Sequence, residues 1–280
     1  MNKIYTVIVA AMLAGATYDV QAQGIKMPQA SSAQTITQEF ALGKITLTYA
    51  RPNVKGRKIF GELEPYGAVW RTGANSATLV SFSDEVSIEG NKVPAGEYAL
   101  FTIPGAKEWT VILNKATKQW GAYEYKESED FLRFKVKPAK TDKLVETFTM
   151  QFNNVKPTSA DFTLAWENTA VTLHLTADID SRVMASIDEA MKGEKKPYFQ
   201  AAIYYYENNK DLNKALEWVT AAEKANPDAF YIKPWKARIQ LKMGDKAGAV
   251  ATATEGIAIA KKIKNDEYVR LNEAIIKQAK

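Results

Sequence analysis

The sequence has no cysteine and a single histidine, His174. Without cysteine there is no disulfide, no thiolate nucleophile, no cysteine metal site and no lipid-anchor cysteine. With one histidine, a histidine-built zinc centre is nearly excluded and a catalytic triad has only one residue to serve as its base. Charge of one sign does not accumulate either. Lys and Arg number 37 against 32 Asp and Glu, a formal excess of +5, and no run of five or more Lys/Arg concentrates it. An excess that small, spread over the whole chain, does not mark a nucleic-acid partner. Nucleotide fingerprints are also missing. Gly56 and Gly61 have the glycine spacing of a phosphate loop, but Glu62-Leu63 follows where Lys-Ser/Thr would have to supply the ammonium and the magnesium-binding hydroxyl. No Gly-x-Ser-x-Gly elbow and no Gly-x-Gly-x-x-Gly occurs. No cofactor, no metal and no catalytic residue is expected from motifs.

Long apolar runs are confined to the beginning. Lys3, the run Ile4 to Ala16 and the small-x-small triplet Val20-Gln21-Ala22 make residues 1–22 read as a signal peptide cleaved after Ala22. That run is too short for a permanent span, and no later stretch approaches the ~20 residues that a membrane helix needs, so no transmembrane segment is expected. Export without disulfides suits a bacterial envelope, and the expected location is periplasmic or secreted. Residues 23–32, rich in Gln, Gly, Pro, Ala and Ser, read as a flexible leader.

At 280 residues, 46% hydrophobic and 25% charged, the chain has the make-up of a globular protein with room for two domains. From residue 33 to 177 the apolar period is two: Ile45, Leu47 and Tyr49, then Phe148, Met150 and Phe152, then Phe162, Leu164 and Trp166, then Val171, Leu173 and Leu175. Further strands are expected at 79–82, 86–88, 97–103, 109–113 and 131–136. Turn formers separate them, among them Glu89-Gly90-Asn91, Asn153-Asn154 and Asn168-Thr169. About nine one-faced strands with no helix between them predict an antiparallel β-sandwich.

At Asp180 the period becomes 3.6, and residues 180–280 read as helices. Ser181 is expected to cap the first helix and Gly193 to close it. The later segments repeat at a spacing of 34, which aligns Ile203 with Ala237, Ala215 with Ala249 and Asp211 with Asp245. Ala215 and Ala222, then Ala237, Gly244 and Ala249, with Tyr206 and Pro227, make residues 196–262 resemble the tetratricopeptide repeat. The second unit departs from it at Gln240 and Lys261. The resemblance implies a helical-hairpin array whose concave face holds a protein or peptide; two repeats that merely pack on the β-domain are the alternative.

Candidate chemistry concentrates between Tyr49 and Ser81, where glycines at 56, 61, 67 and 73 break regular structure among Arg51, Lys55, Arg57, Tyr66, Trp70, Arg71 and Asn75. Two readings stand. Guanidinium forks bind carboxylate or phosphate and flat rings stack on sugars, so Arg51, Arg57, Tyr66, Trp70, Arg71 and Asn75 would form a site for an anionic or sugar ligand. Alternatively the set is architectural, with Arg71 paired to an acid such as Glu62, Asn75 bonding loop amides and Trp70 plugging the sandwich. Glu62 and Glu64, if extended, would place two carboxyls on one side ~6.5 to 7 Å apart at the backbone, near the separation in inverting glycosidases. His174 alternates with Leu173 and Leu175 and is expected at the surface. Asp178 and Asp180 are expected to cap the helix beginning there rather than to bind calcium.

The segments GRKIFGELEPYGAVWRTGANSAT, AGEYALFTIPG, EWTVILN and QWGAYEY, in that order, resemble an exported bacterial family known as domain of unknown function 2911, over about Ala30 to Ala177. Glu64 and Ser76 depart from that pattern, where an apolar and a charged residue are expected. The family carries no assigned activity. The favoured expectation is a non-catalytic envelope binding or scaffolding protein; the rival is an envelope glycan hydrolase using Glu62 with an unidentified second acid. N-terminal sequencing of protein from an envelope fraction should begin at Gln23, and a retained Met1 in cytosolic material would overturn the export reading.

Overall fold

A computed structural model describes residues 27–280. The expected signal peptide lies outside the described residues, as does the leader up to residue 26. The chain divides into two compact units with the boundary between Ala177 and Asp178.

The first unit is built from ten strands: β1 Ser32–Phe40, β2 Gly43–Arg51, β3 Thr78–Phe82, β4 Val86–Ile88, β5 Asn91–Val93, β6 Gly96–Ile103, β7 Trp109–Asn114, β8 Asp130–Val136, β9 Ala139–Asn153 and β10 Ser159–Thr176. They form a six-stranded sheet in the order β1-β2-β3-β6-β7-β8 and a four-stranded sheet in the order β5-β4-β10-β9. Every pairing is antiparallel. The period-two pattern decides which side each strand buries: Ile45, Leu47 and Tyr49 of β2 and Leu164, Leu173 and Leu175 of β10 enter one continuous core between the sheets. The antiparallel sandwich is therefore as the alternation predicts.

Three local expectations are corrected. Asn168-Thr169 is not a turn: β10 runs unbroken through it, with register shifts around Glu167, whose φ of 55° marks a bulge. Glu89-Gly90 is a turn as expected, but Asn91 already belongs to β5, a short strand that pairs with β4 across it. β1 begins at Ser32 although its inward residues alternate amides with apolar groups, as Gln34, Ile36, Gln38 and Phe40; it is an edge strand held by β2 along its whole length.

Loop residues complete the core. Phe60 and Trp70 pack with Trp109 of β7, Phe148 of β9 and Trp166 of β10. Trp70 stacks on Trp166 with ring centroids 5.8 Å apart and planes 17° from parallel.

The second unit has six helices: α1 Asp180–Ala190, α2 Tyr198–Glu207, α3 Leu212–Ala225, α4 Ile232–Lys242, α5 Lys246–Lys262 and α6 Asp266–Ala279. One turn is built three times. Asn209, Gly244 and Lys264 take φ of 53°, 88° and 56°. The next amide then bonds back five residues, as Lys210 to Tyr205, Asp245 to Gln240 and Asn265 to Ala260, at 2.8, 2.9 and 2.9 Å. The following helix opens on a side-chain cap: Asp211, Asp245 and Asn265 accept from the amides of Asn213, Gly248 and Tyr268. Ala215, Ala237, Ala249 and Ala253 are buried where helices approach closely. Lys233 on α4 lies within 2.5 Å of Glu223 on α3 and of Glu255 on α5. Among the described residues no helix is long and apolar enough to cross a membrane.

At α1 the expected cap is also corrected. The N-cap is Ile179, Ser181 sits inside the helix, and the helix ends at Ala190, with Met191 rather than Gly193 at its C-cap. Asp178 accepts from the Asp180 amide at 3.4 Å, while Asp180 itself accepts from Tyr204 and Lys210 at 2.9 and 2.7 Å, tying α1 to α2 and the turn after it.

Replacing Trp70 by Ala should leave a cavity among four rings and cost about 3–5 kcal/mol of β-unit stability. Trp120, 65% exposed, should tolerate the same change within about 0.5 kcal/mol. Urea titrations of both variants check the pair, and equal midpoints would refute the role given to Trp70.

Candidate ligand-binding cleft

The chain between β2 and β3 owes its order to backbone pairing with both sheets. Pro52 accepts from the Phe148 amide and the Val54 amide donates to Glu146, each at 2.8 Å, so residues 52–54 run along β9. Lys55 and Gly56 then turn with positive φ, and Arg57 folds back, its Nε and Nη2 donating to the carbonyls of Val54 and Asn53 at 3.0 and 2.6 Å. Farther on, Trp70 and Thr102 of β6 exchange backbone bonds of 2.7 and 2.9 Å. The indole of Trp70 donates to Gly73 at 3.1 Å. The buried Thr72 hydroxyl shares a hydrogen bond with Thr102, and its carbonyl accepts from Thr78 Oγ1 at 2.6 Å. These anchors force left-handed backbone on Thr72 and Asn75, at φ of 53° and 61°; asparagine tolerates it readily, threonine does not.

Between the two anchored stretches lies a cleft of about 330 Å³ lined by Asn53, Lys55, Arg57, Glu64, Arg71, Asn75 and Trp166, with Ser31 and Leu63 at its margin. Of the predicted residues it brings together Arg57, Arg71 and Asn75. The other three stand elsewhere. Arg51 spans the sheets, donating from Nε to the Phe148 carbonyl at 3.1 Å and from Nη2 to Thr149 at 2.9 Å. Trp70, a ligand-site residue in the first reading, is 2% exposed inside the ring cluster. Tyr66, 50% exposed, borders a separate cleft of about 300 Å³ with Phe60, Trp109, Lys140 and Thr169. The plug reading therefore holds for Trp70 and a structural tie for Arg51, while Arg57, Arg71 and Asn75 face open space.

Three cations, Lys55, Arg57 and Arg71, face the cleft against one carboxyl, Glu64. Arg71 is not paired with Glu62 as the architectural reading expects: its Nε is buried without a hydrogen-bond partner, and so is the Nε1 of Trp166. Arg71 and Trp166 both line the cleft, and each keeps a buried donor for which the protein supplies no acceptor. Asn75 Nδ2 donates to the Ser31 carbonyl at 3.3 Å, which brings the start of β1 to the cleft. Burial pushes the Glu64 carboxyl up to about 7, against the opposing charges of Arg71 and Arg57.

The carboxylate pair expected from an extended chain does not form. Residues 59–64 make a tight turn in which the Glu64 amide donates to Ile59 and the Gly61 amide to Glu64, both at 2.9 Å. Glu62 is thrown outward to an exposed pair with Lys58 at 3.5 Å. Glu64 and Trp166 were not legible as site residues: the first depends on that turn, the second on β10 passing beneath the loop. His174 is exposed as expected, with its Nδ1 3.0 Å from Asp161.

A family model described as Protein of unknown function (DUF2911) matches residues 31–175, more than half of the 280 residues. The chain belongs to that family. The DUF2911 match takes in both sheets and all of the cleft after Ala30. Among solved structures, the solution structure of protein BPP2914 from Bordetella parapertussis is similar at 20% identity, covering 37% of this chain and 89% of that one, with a TM-score of 0.31. No curated protein matches the chain.

The raised Glu64 value makes the stability of the DUF2911 domain depend on pH. Folded Glu64 binds its proton up to about pH 7, whereas unfolded it releases it near 4.5. Between those values the folded state holds more protons at Glu64, so the contribution of this group to stability is largest below pH 4.5 and is lost as pH rises toward 7. Glu64→Gln cannot titrate, so its stability relative to wild type should increase by about 2–3 kcal/mol from pH 4.5 to pH 8. Denaturant titrations at both pH values check this, and a difference that does not change with pH would refute it.

Proposed function

We propose that the protein is an exported, non-catalytic binding protein of the bacterial envelope whose DUF2911 cleft receives an anionic group of a small ligand. The observation that carries this reading is the Arg71 guanidinium, its Nε buried, unbonded and next to a cleft of about 330 Å³ that Arg57 and Lys55 also face. A buried donor left unpaired costs roughly 1–3 kcal/mol, and the guanidinium to which it belongs is a side chain suited to binding oxyanions. The size of the cleft is at the lower end of ligand pockets, about 300–1,000 Å³, which favours a small molecule over a polymer segment.

For the helical unit we propose a tetratricopeptide-like array, the kind of scaffold that would hold a protein or peptide. In its favour are the 34-residue step between the capping residues Asp211 and Asp245, the burial of Ala215, Ala222, Ala237 and Ala249, and the turn repeated between helices.

The rival reading, a glycan hydrolase built on Glu62, has less to rest on. Glu62 is exposed and paired with Lys58, and one carboxyl lines the cleft where glycoside hydrolysis takes two.

Thermal-shift measurements with sulfate, acetate and acidic sugars test the proposal. At about 100-fold excess over Kd a ligand should add about 2.7 kcal/mol to wild type, and Arg71→Ala should keep its melting temperature while losing that gain. If Arg71→Ala alone loses about 3–5 kcal/mol, or if it responds to ligand as wild type does, Arg71 is a structural residue and the proposal fails.

A further inference from the structure

A site made for anions would be expected to present only donors, yet this one contains a carboxyl. Glu64 faces Lys55, Arg57 and Arg71. Arg71 and Arg57 act on it through space, as charges and not through hydrogen bonds. Arg57 is turned to the carbonyls of Val54 and Asn53, and Arg71 Nε is unbonded. The neighbouring acids are committed elsewhere: Glu146 accepts from the Lys55 amide, Glu167 from the Ile59 amide, and Glu62 pairs with Lys58 at the surface. Glu64 is thus the acid left among these cations. Ionised, it competes with an anionic ligand for the same guanidiniums. Neutral, its O–H becomes one more donor in the cleft that Arg71 also lines.

Resting on the anion-binding reading above, we propose that the cleft takes its ligand together with a proton on Glu64, so that the ligand group is an oxyanion accepting hydrogen bonds from the Glu64 carboxyl and Arg71 at once. The proton comes from solvent and returns to it on release; no covalent bond to the ligand forms. Burial already brings Glu64 to about 7, so protonating it near neutral pH is inexpensive. An anion beside it opposes ionisation further. By reciprocity, the protonated carboxyl strengthens anion binding by the same factor. Capture is then favoured in mildly acidic medium and release in alkaline medium.

Titration calorimetry of the full chain tests this with sulfate, which stays doubly ionised from pH 5.5 to 8.5, and with acetate as the carboxylate probe, in two buffers of different ionisation enthalpy. Wild type should take up close to one proton per anion at pH 8, and its affinity should fall toward tenfold per pH unit above 7. Glu64→Gln should bind the same probe with a flat pH profile and no proton uptake, and Arg71→Ala should lose binding at every pH. A probe bound by wild type without proton uptake, or a slope that survives in Glu64→Gln, overturns the proton linkage while leaving the anion site standing. Failure of both probes to bind wild type at any pH overturns the anion site itself. Preference for sulfate over acetate would assign the site to tetrahedral oxyanions, and the reverse to carboxylates.

Discussion

The contact of Trp70 with Trp166 is where the two sheets and the loop between β2 and β3 become one object. Trp70 comes from a stretch with almost no regular structure, yet its ring is stacked on a residue of β10 and edged by Phe60 and Trp109. Burial of rings this large dominates local energetics, and the loop backbone is fixed as a consequence. With Trp70 held, Arg71 can only leave the core toward the cleft, and the short passage from Thr72 to Asn75 must take left-handed backbone to reach β3. Strain of that kind persists where packing over-determines it.

The same arrangement explains why polar groups at the cleft stay unpaired. Trp166 packs in the core among aromatic neighbours and also lines the cleft, and its buried Nε1 meets no acceptor. Arg71 follows a buried residue directly and so brings the base of its guanidinium out of solvent, while the turn at Ile59 to Glu64 carries one carboxyl into the same space and its neighbour outward. The result is a patch of charges partly desolvated but not mutually satisfied, which structural ion-pair networks avoid and binding sites use.

The helical unit is organised by different means. Its helices are defined one junction at a time, by a left-handed residue, a back-bond and a side-chain cap that occur in the same order at three turns. Across the helices the charged cluster of Glu223, Lys233, Lys236 and Glu255 places paired charges among buried small residues. Lys236 approaches Glu223 at 2.6 Å, so that carboxylate receives two ammonium groups and is held below its usual range by them despite its burial.

What the sequence determined by itself was whatever is enforced locally. Alternation of apolar residues fixes which side of a strand is buried, so most of the strands, the sandwich and the surface position of His174 were legible. A side chain that bonds an amide two or three residues later needs no tertiary partner, so Asp211 and Asp245, aligned by the 34-residue spacing, take the same capping role in the structure. Where the local signal was weak, at the amide-rich edge strand β1, or misleading, at Asn168-Thr169 inside β10, a neighbouring strand decided the outcome through backbone hydrogen bonds that carry no sequence signature. The loop residues were legible as a group of donors and rings but not as individuals. Sorting Trp70 and Arg51 into the scaffold, Arg57, Arg71 and Asn75 into the cleft, and adding Glu64 and Trp166 required the tertiary structure, because the loop is fixed by partners far away in the chain, as Arg51 is by Thr149, 98 residues on, and no local spacing encodes such a meeting.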